Sequence, residues 1–347
     1  ARLRIIGEEL DRDYGSVTLD HPSRAFGEAV RLSLSQTYLS FFTAGDLLRF
    51  DLSGTTETDS DDTSVSGAVT YRMPLGGSGL YGEAYLGNVG AYRDANGSLQ
   101  ETEALGRTAI LALGFPFVRN VDTYGYGLLE VRQSASEVDV ADQTFESEAD
   151  VISASWIYGK ALTTGGALEY AVNVVYGEQR KEFQGVDDRD ETFSHVRLGF
   201  GYEHPIGLFG PETTIRAEVW GQYTEDRLPG GEEFYLGGID AERGYLFGEV
   251  QGDSGYSASL EVSRDLFLDS AHVNRIRPFG FLDIGQIWNN DPSTAEIADA
   301  TLSSVGVGID AEFTNGLFAR SYVATLLEDG PFTQAGEPAF YLNLTKS

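Results

Sequence analysis

Residues Leu236 to Tyr256 read LGGIDAERGYLFGEVQGDSGY, and the runs that flank them alternate apolar and polar side chains with period two. Connections between strands mostly span roughly two to five residues, and long ones are usually functional or disordered. This one carries three aromatics and little of the polar low-complexity sequence of disorder. It reads as an ordered loop folded back onto something, and its neighbours say onto what.

Strand templates recur from end to end. Val30, Leu32, Leu34 and Tyr38 alternate with Arg31, Ser33, Ser35 and Thr37; Val196, Leu198, Phe200 and Tyr202 oppose His195, Arg197 and Glu203. Tyr256, Ala258, Leu260 and Val262 oppose Ser257, Ser259, Glu261 and Ser263. One face of each template is polar, as a wet interior or exterior requires. The connections fall into two sets. Thr43-Ala44-Gly45, Leu75 to Gly79, Thr163 to Gly166 and Thr314-Asn315-Gly316 are short. Glu57 to Asp62, Asp94 to Glu103, Ala141 to Asp150, Gln184 to Glu191 and Asn289 to Ala300 are longer and acidic. Short turns at one end and longer polar loops at the other are the pattern of an outer-membrane barrel.

The alternation predicts sixteen strands, at 2–12, 25–40, 45–57, 63–74, 79–93, 103–114, 122–139, 150–161, 166–182, 191–204, 212–226, 254–267, 275–288, 301–313, 317–328 and 338–345. The expected fold is all-β: a 16-stranded antiparallel transmembrane β-barrel forming one domain over 1–347. Residues 227–253 are left as a long loop between strands eleven and twelve. A soluble sandwich would seldom need segments this long, and no repeat of fixed period marks a propeller or solenoid.

Composition narrows the function. Lys and Arg number 24 against 54 Asp and Glu, a formal charge of −30, which argues against nucleic-acid binding because phosphates need a basic face. There is no Cys, so neither a disulfide framework nor a thiolate metal site is available. No apolar run is long enough for a transmembrane helix. A mean hydropathy slightly below zero fits a membrane barrel as well as a soluble protein, since lipid-facing and lumen-facing residues cancel.

The spaced motifs add a resemblance. Leu236-Gly237-Gly238, Arg243-Gly244-Tyr245 and Gly252-Asp253-Ser254-Gly255 resemble the signature loop of two-partner secretion transporters, the haemolysin and adhesin secretion/activation proteins. That family shares a superfamily with the barrel-assembly insertase. Phe281-Leu282-Asp283-Ile284-Gly285 is similar to its Phe-x-Asp-x-Gly strand, and the run 302–308 and the turn Ala44 to Leu48 are similar to further family elements. The resemblance implies a bacterial outer-membrane barrel whose 227–253 loop enters the lumen, with Arg243 pairing Asp283. Parity permits this: Arg277, Phe279, Phe281, Asp283 and Gly285 share one face, while Leu282 and Ile284 point the other way. The polar parity also places Arg197, Arg216, Glu218, Glu261 and Arg277 on the lumen lining.

Three departures stand out. Glu242 replaces the family's usual Val and is placed to compete with Asp283 for Arg243. Periplasmic POTRA modules should precede the barrel, yet Ala1 lies almost at the first strand, and the end Thr345-Lys346-Ser347 lacks the usual terminal aromatic. The leading expectation is export of an unfolded partner polypeptide without nucleotide hydrolysis. The alternative is a structural or lattice-forming, homo-oligomeric surface barrel with a plugged lumen. An insertase for other barrels is a third reading.

No enzyme is expected. His21, His195, His204 and His272 show no ligand spacing, and nothing assembles a nucleophile, base and oxyanion hole. Asp59, Asp61 and Asp62, and Asp187, Asp188, Asp190 and Glu191, offer the carboxylates calcium prefers but lack the ordered spacing of a calcium loop. They read as solvated charge, with no cofactor and only non-specific Ca2+ at the loops. The partners expected are outer-membrane lipid, lipopolysaccharide through divalent bridges, and the exported polypeptide.

Overall fold

A computed structural model describes residues 12–21, 29–57, 60–94, 100–141, 143–183, 186–207, 212–292 and 297–347. Among them run β1 (Asp13–Asp20), β2 (Ala29–Leu39), β3 (Leu47–Glu57), β4 (Thr63–Pro74), β5 (Tyr81–Arg93), β6 (Thr102–Arg119), β7 (Thr123–Val140) and β8 (Gln143–Ala161). They continue as β9 (Ala167–Phe183), β10 (Val186–Pro205), β11 (Thr213–Tyr223), β12 (Ser254–Arg264), β13 (Val273–Trp288), β14 (Asp299–Phe313), β15 (Leu317–Leu326) and β16 (Pro338–Lys346). The two-residue piece Leu266–Phe267 also pairs with β13 and extends β12 past Asp265. Each strand is antiparallel to the next, and β1 pairs with β16 from Val17↔Lys346 to Asp20↔Asn343, which closes the cylinder.

Period two decides which way each side chain points. On β13, Phe279, Phe281, Asp283 and Ile287 are buried, whereas Leu282 and Ile284 are 46% and 41% exposed. Val305, Val307 and Ile309 continue the exposed apolar set on β14, and Leu32, Leu52, Leu86, Leu111 and Leu198 carry it around the wall. A continuous apolar belt of this extent is unsuited to water and suited to lipid. Register carries the inner face across strands: Glu218, Ser259, Asp283, Ser304 and Leu326 form one row from β11 to β15.

Strand number and order agree with expectation, but boundaries differ in places. The expected strand 2–12 falls almost wholly outside the described residues, and the first described strand is Asp13–Asp20. Asp59 and the side chains of Asp187, Asp188 and Asp190 also lie outside them. The stretches 141–150 and 184–191 were expected as loops, yet β8 begins at Gln143 and β10 at Val186. The cause is physical. Beyond the lipid both faces of a strand meet water, so the apolar–polar contrast disappears while the backbone ladder continues. Opposite charges stitch the hairpins there: Glu148 with Arg180 at 3.3 Å and Lys181 with Glu191 at 3.9 Å. β6 likewise runs to Arg119 rather than 114, through a register shift at Pro116/Val118.

The turn between β2 and β3 is organised by one carboxylate. Asp46 accepts hydrogen bonds from the amides of Phe41 (2.6 Å), Phe42 (3.0 Å) and Thr43 (2.7 Å), from Thr43 Oγ1 (3.2 Å) and from the Tyr71 hydroxyl (2.9 Å). Burial would raise its pKa, but the bonds from Thr43, Tyr71, Phe42 and Phe41 outweigh burial and hold it below the ordinary carboxylate value. Asp46→Ala leaves those donors without an acceptor. It is expected to lower the temperature at which the barrel loses its heat-modifiable migration in a detergent gel, and Asp46→Asn to lower it less.

Candidate functional site

Residues 227–253, between β11 and β12, fold into a compact segment. Its short strands Phe234–Leu236 and Val250–Gly252 pair antiparallel, and Gly238–Tyr245 runs against β12 to β16. Leu236, Tyr245 and Val250 pack with Ile287, Leu302 and Leu326, while Ile239 meets the cluster of Phe279, Phe281, Tyr322, Ala324 and Tyr341. All of these wall residues lie on the face opposite the exposed apolar belt. At its other end the segment buries Leu228 among Val151, Val175 and Phe193 of β8, β9 and β10.

Sequence dictates the close approach. Gly244 has φ +102°, and a Cβ there would stand 2.9 Å from Ala324 Cβ and 3.0 Å from Leu326 Cδ2. Only glycine fits both the backbone and the wall. Gly237 (φ +94°) and Gly238 (φ +143°) turn the chain between the short strands. Gly252 and Gly255 pass against Ile287, and Gly285 faces Glu242 and Leu236.

Arg243 is the polar centre of this contact. Its Nε donates to Asp283 Oδ2 and its Nη2 to Asp283 Oδ1, both at 2.8 Å, a bidentate fork, and its backbone amide donates to Oδ2 at 3.1 Å. Nη1 donates to Glu261 Oε2 at 2.8 Å and Nη2 to Ser259 Oγ at 3.1 Å. Ser259 Oγ in turn donates to Asp283 Oδ1 at 2.6 Å. The guanidinium carbon stands 3.6 Å from the Phe281 ring centroid, a cation–π stack. Asp283 is wholly buried and Arg243 nearly so. Burial opposes the charge on Arg243, but the Asp283 and Glu261 contacts prevail and raise its pKa further. Arg320 Nη2 reaches Glu261 at 3.4 Å, so two guanidinium groups face two carboxylates.

Glu242 does not compete for Arg243. Its side chain turns to Ser257, whose Oγ donates to Oε1 at 2.7 Å, and to the Gly237 amide at 3.4 Å. It sits fully buried at φ +44°, a left-handed conformation rare for a residue with a Cβ. Burial pushes its carboxyl up to about 7, Ser257 and Gly237 pull it back only in part, and the charge on Asp283 adds to the rise.

Other contacts pin the segment. The Tyr245 hydroxyl meets the carbonyls of Ser303 (2.9 Å) and Glu328 (2.8 Å). Asp253 accepts from the Leu228 amide (2.6 Å) and the Asn290 amide (2.7 Å), joining both ends of the segment to the loop after β13.

The other residues assigned to the lining are dispersed. Arg216 pairs with Glu218 at 2.8 Å and both are well exposed; Arg277 pairs with Asp265 at 2.7 Å, near the short-turn end. Glu261 belongs to the Arg243 cluster. Arg197 belongs to a second cluster that local pattern did not disclose, centred on Glu232. Glu232 contacts Arg132 Nη2, accepts or shares a proton with His195 Nε2 at 3.1 Å, and lies 3.8 Å from Arg197 Nη2. Burial would raise the Glu232 pKa, but His195, Arg132 and Arg197 together lower it. Its carbonyl accepts from Arg197 Nη2 (3.0 Å) and Gln222 Nε2 (2.9 Å). The only local hint was the acidic pair Glu232-Glu233 just before Phe234.

The family profile described as haemolysin secretion/activation protein ShlB/FhaC/HecB matches residues 2–311. No curated protein sequence matches the chain. Among solved structures, CdiB from Acinetobacter baumannii superposes with a TM-score of 0.78 at 14% identity, over 97% of this chain and 60% of that one. CdiB from Escherichia coli gives 0.79 at 16% identity, over 98% and 63%. BamA from Haemophilus ducreyi lacking POTRA domains 1-3 gives 0.65 at 14% identity, over 97% and 71%. The chain thus spans 60–63% of the two CdiB chains, and at these identities the likeness concerns the fold.

Proposed function

The chain belongs to the haemolysin secretion/activation family ShlB/FhaC/HecB, outer-membrane β-barrels of Gram-negative bacteria, and from that premise we propose that it passes an unfolded partner polypeptide to the cell surface. In this reading residues 227–253 stand in the barrel lumen as a removable plug, and Arg243 with Asp283 is the latch. No nucleotide is hydrolysed; folding of the client outside supplies the drive. The outward belt meets lipid, and the acidic hairpins meet lipopolysaccharide through divalent cations.

One observation carries the reading. The segment is held by a buried ionic cluster on the face away from the belt, while a cavity of about 1080 Å³ remains beside it. Ser16, Thr18, Ser33, Ser53, Thr108 and Ser134 line that cavity. A small, hydroxyl-rich wall lets an extended chain slide without binding it tightly, and an ionic latch holds the plug with geometric selectivity.

The test compares the surface and secreted proteins of native cells with and without the gene. A polypeptide that disappears on deletion, returns with the wild-type gene and does not return with Asp283→Ala is the expected result. An unchanged surface proteome removes the transport reading and favours a structural barrel. Heat-modifiable migration of the variant shows that the barrel itself is folded.

A further inference from the structure

Glu232 lies among three nitrogen-bearing side chains that the Arg243 latch does not involve. Arg132 projects from β7 and His195 and Arg197 from β10, on the same face of the wall as Asp283. Glu130, on β7 and two residues from Arg132, faces the same space, so the local charge is close to balanced with Glu232 in place. Without Glu232 it is cationic.

The cluster has capacity to spare. Arg132 Nε and His195 Nδ1 are buried with no hydrogen-bond partner among the described residues. Arg132 and Arg197 keep 24% and 37% of their side chains exposed, and the Arg132–Glu232 pair borders the large cavity. The segment reaches this site on a short tether, Leu228 to Glu232, turned by the hydrogen bond from Glu232 N to Pro229 O at 2.7 Å. A carboxylate is what two guanidinium groups and an imidazole at these positions recognise, since arginine forks match carboxylates in shape as well as charge.

We propose that Arg132, His195 and Arg197 form a carboxylate-binding site in the barrel wall, occupied at rest by the segment's own Glu232 and open to exchange with an acidic side chain of a polypeptide in the cavity. The segment is therefore fastened on two walls, by Arg243 toward β12 and β13 and by Glu232 toward β7 and β10. The second fastening is the one a passing chain can take over, because Arg132 and Glu232 border the cavity and Arg197 is 37% exposed, while Asp283 is sealed. The identity of the competitor rests on the transport reading; the site and its occupancy do not.

The absence of cysteine gives a clean probe. Leu228→Cys places a single thiol on the tether to Glu232, at a position only 7% exposed in the docked segment, and its rate of modification by a maleimide in purified, detergent-solubilised protein reports release. Triglutamate is the competitor and trilysine the control, at equal ionic strength. Triglutamate is expected to raise the labelling rate by roughly tenfold, the effect of about one charge-assisted hydrogen bond, and trilysine to leave it unchanged. Adding Glu232→Gln should give the fast rate without peptide. Adding Arg132→Gln should also give the fast rate and abolish the response to triglutamate. Equal rates in all three backgrounds overturn the site. Acceleration by Glu232→Gln with no response to triglutamate overturns the exchange and leaves a structural contact only. Heat-modifiable migration certifies each variant as a folded barrel. A protein that behaves as expected here yet exports nothing in the deletion comparison sinks the transport reading and leaves this site standing.

Discussion

Arg243→Ala is expected to undock residues 227–253 from the β12–β16 wall, at a cost of about 3–5 kcal/mol to the docked state. The size follows from what remains. Asp283, wholly buried, loses both side-chain donors of its fork, Glu261 loses its 2.8 Å partner, and the Phe281 ring loses the guanidinium stacked on it. Single-channel recordings in planar bilayers should show a larger and noisier conductance than wild type, and limited proteolysis should cut near Phe247, already 80% exposed, much faster. Arg243→Lys is expected to resemble alanine more than wild type. One ammonium cannot span both oxygens of Asp283 together with Glu261 and Ser259. Conductance and protection unchanged in both variants would remove the latch.

Docking should also weaken as the medium is made more alkaline, and Glu242 is the reason. Its carboxyl is pushed up to about 7 in the docked segment, above its ordinary value of 4.5. The docked state therefore holds a proton that the undocked state gives up. Stability from this group is complete below about 4.5 and is lost as pH rises through about 7, a change of about 3 kcal/mol. Above that range an anion is buried beside Asp283 with, among the described residues, Ser257 and the Gly237 amide to solvate it. Protease protection of the segment, measured across this interval, should fall with pH in wild type and stay nearly flat in Glu242→Gln. A wild-type profile as flat as the variant's would show that Glu242 carries no such proton.

The sequence made the wall legible because lipid enforces contrast. Where a strand crosses the bilayer, alternation such as Leu282 and Ile284 against Phe281 and Asp283 is obligatory, and it marks the face on which Asp283 now contacts Arg243 at 2.8 Å. Where β8 and β10 rise into water the constraint lapses, so Gln143 to Asp150 and Val186 to Glu191 read as loops although they are strands. The Glu232 cluster was hidden for another reason. Its members come from positions 100 and 37 residues away, and no local spacing announces a contact made only when the cylinder closes. Asp46 was visible as part of a turn, but that three amides, a threonine and a tyrosine converge on it needed the register of β4.

The uneven height of the wall has a consequence for whatever emerges from it. Val186 to His195 of β10 continue beyond the point where pairing with β11 begins at Val196, a rise on the order of 30 Å, whereas β15 is 10 residues long and β16 is 9. The mouth is thus a tall acidic parapet along one flank and a low lip along the other. On the proposed export reading, an acidic polypeptide threading outward would be turned away from the parapet and over the lip, so that its first folding contacts would form on one side only.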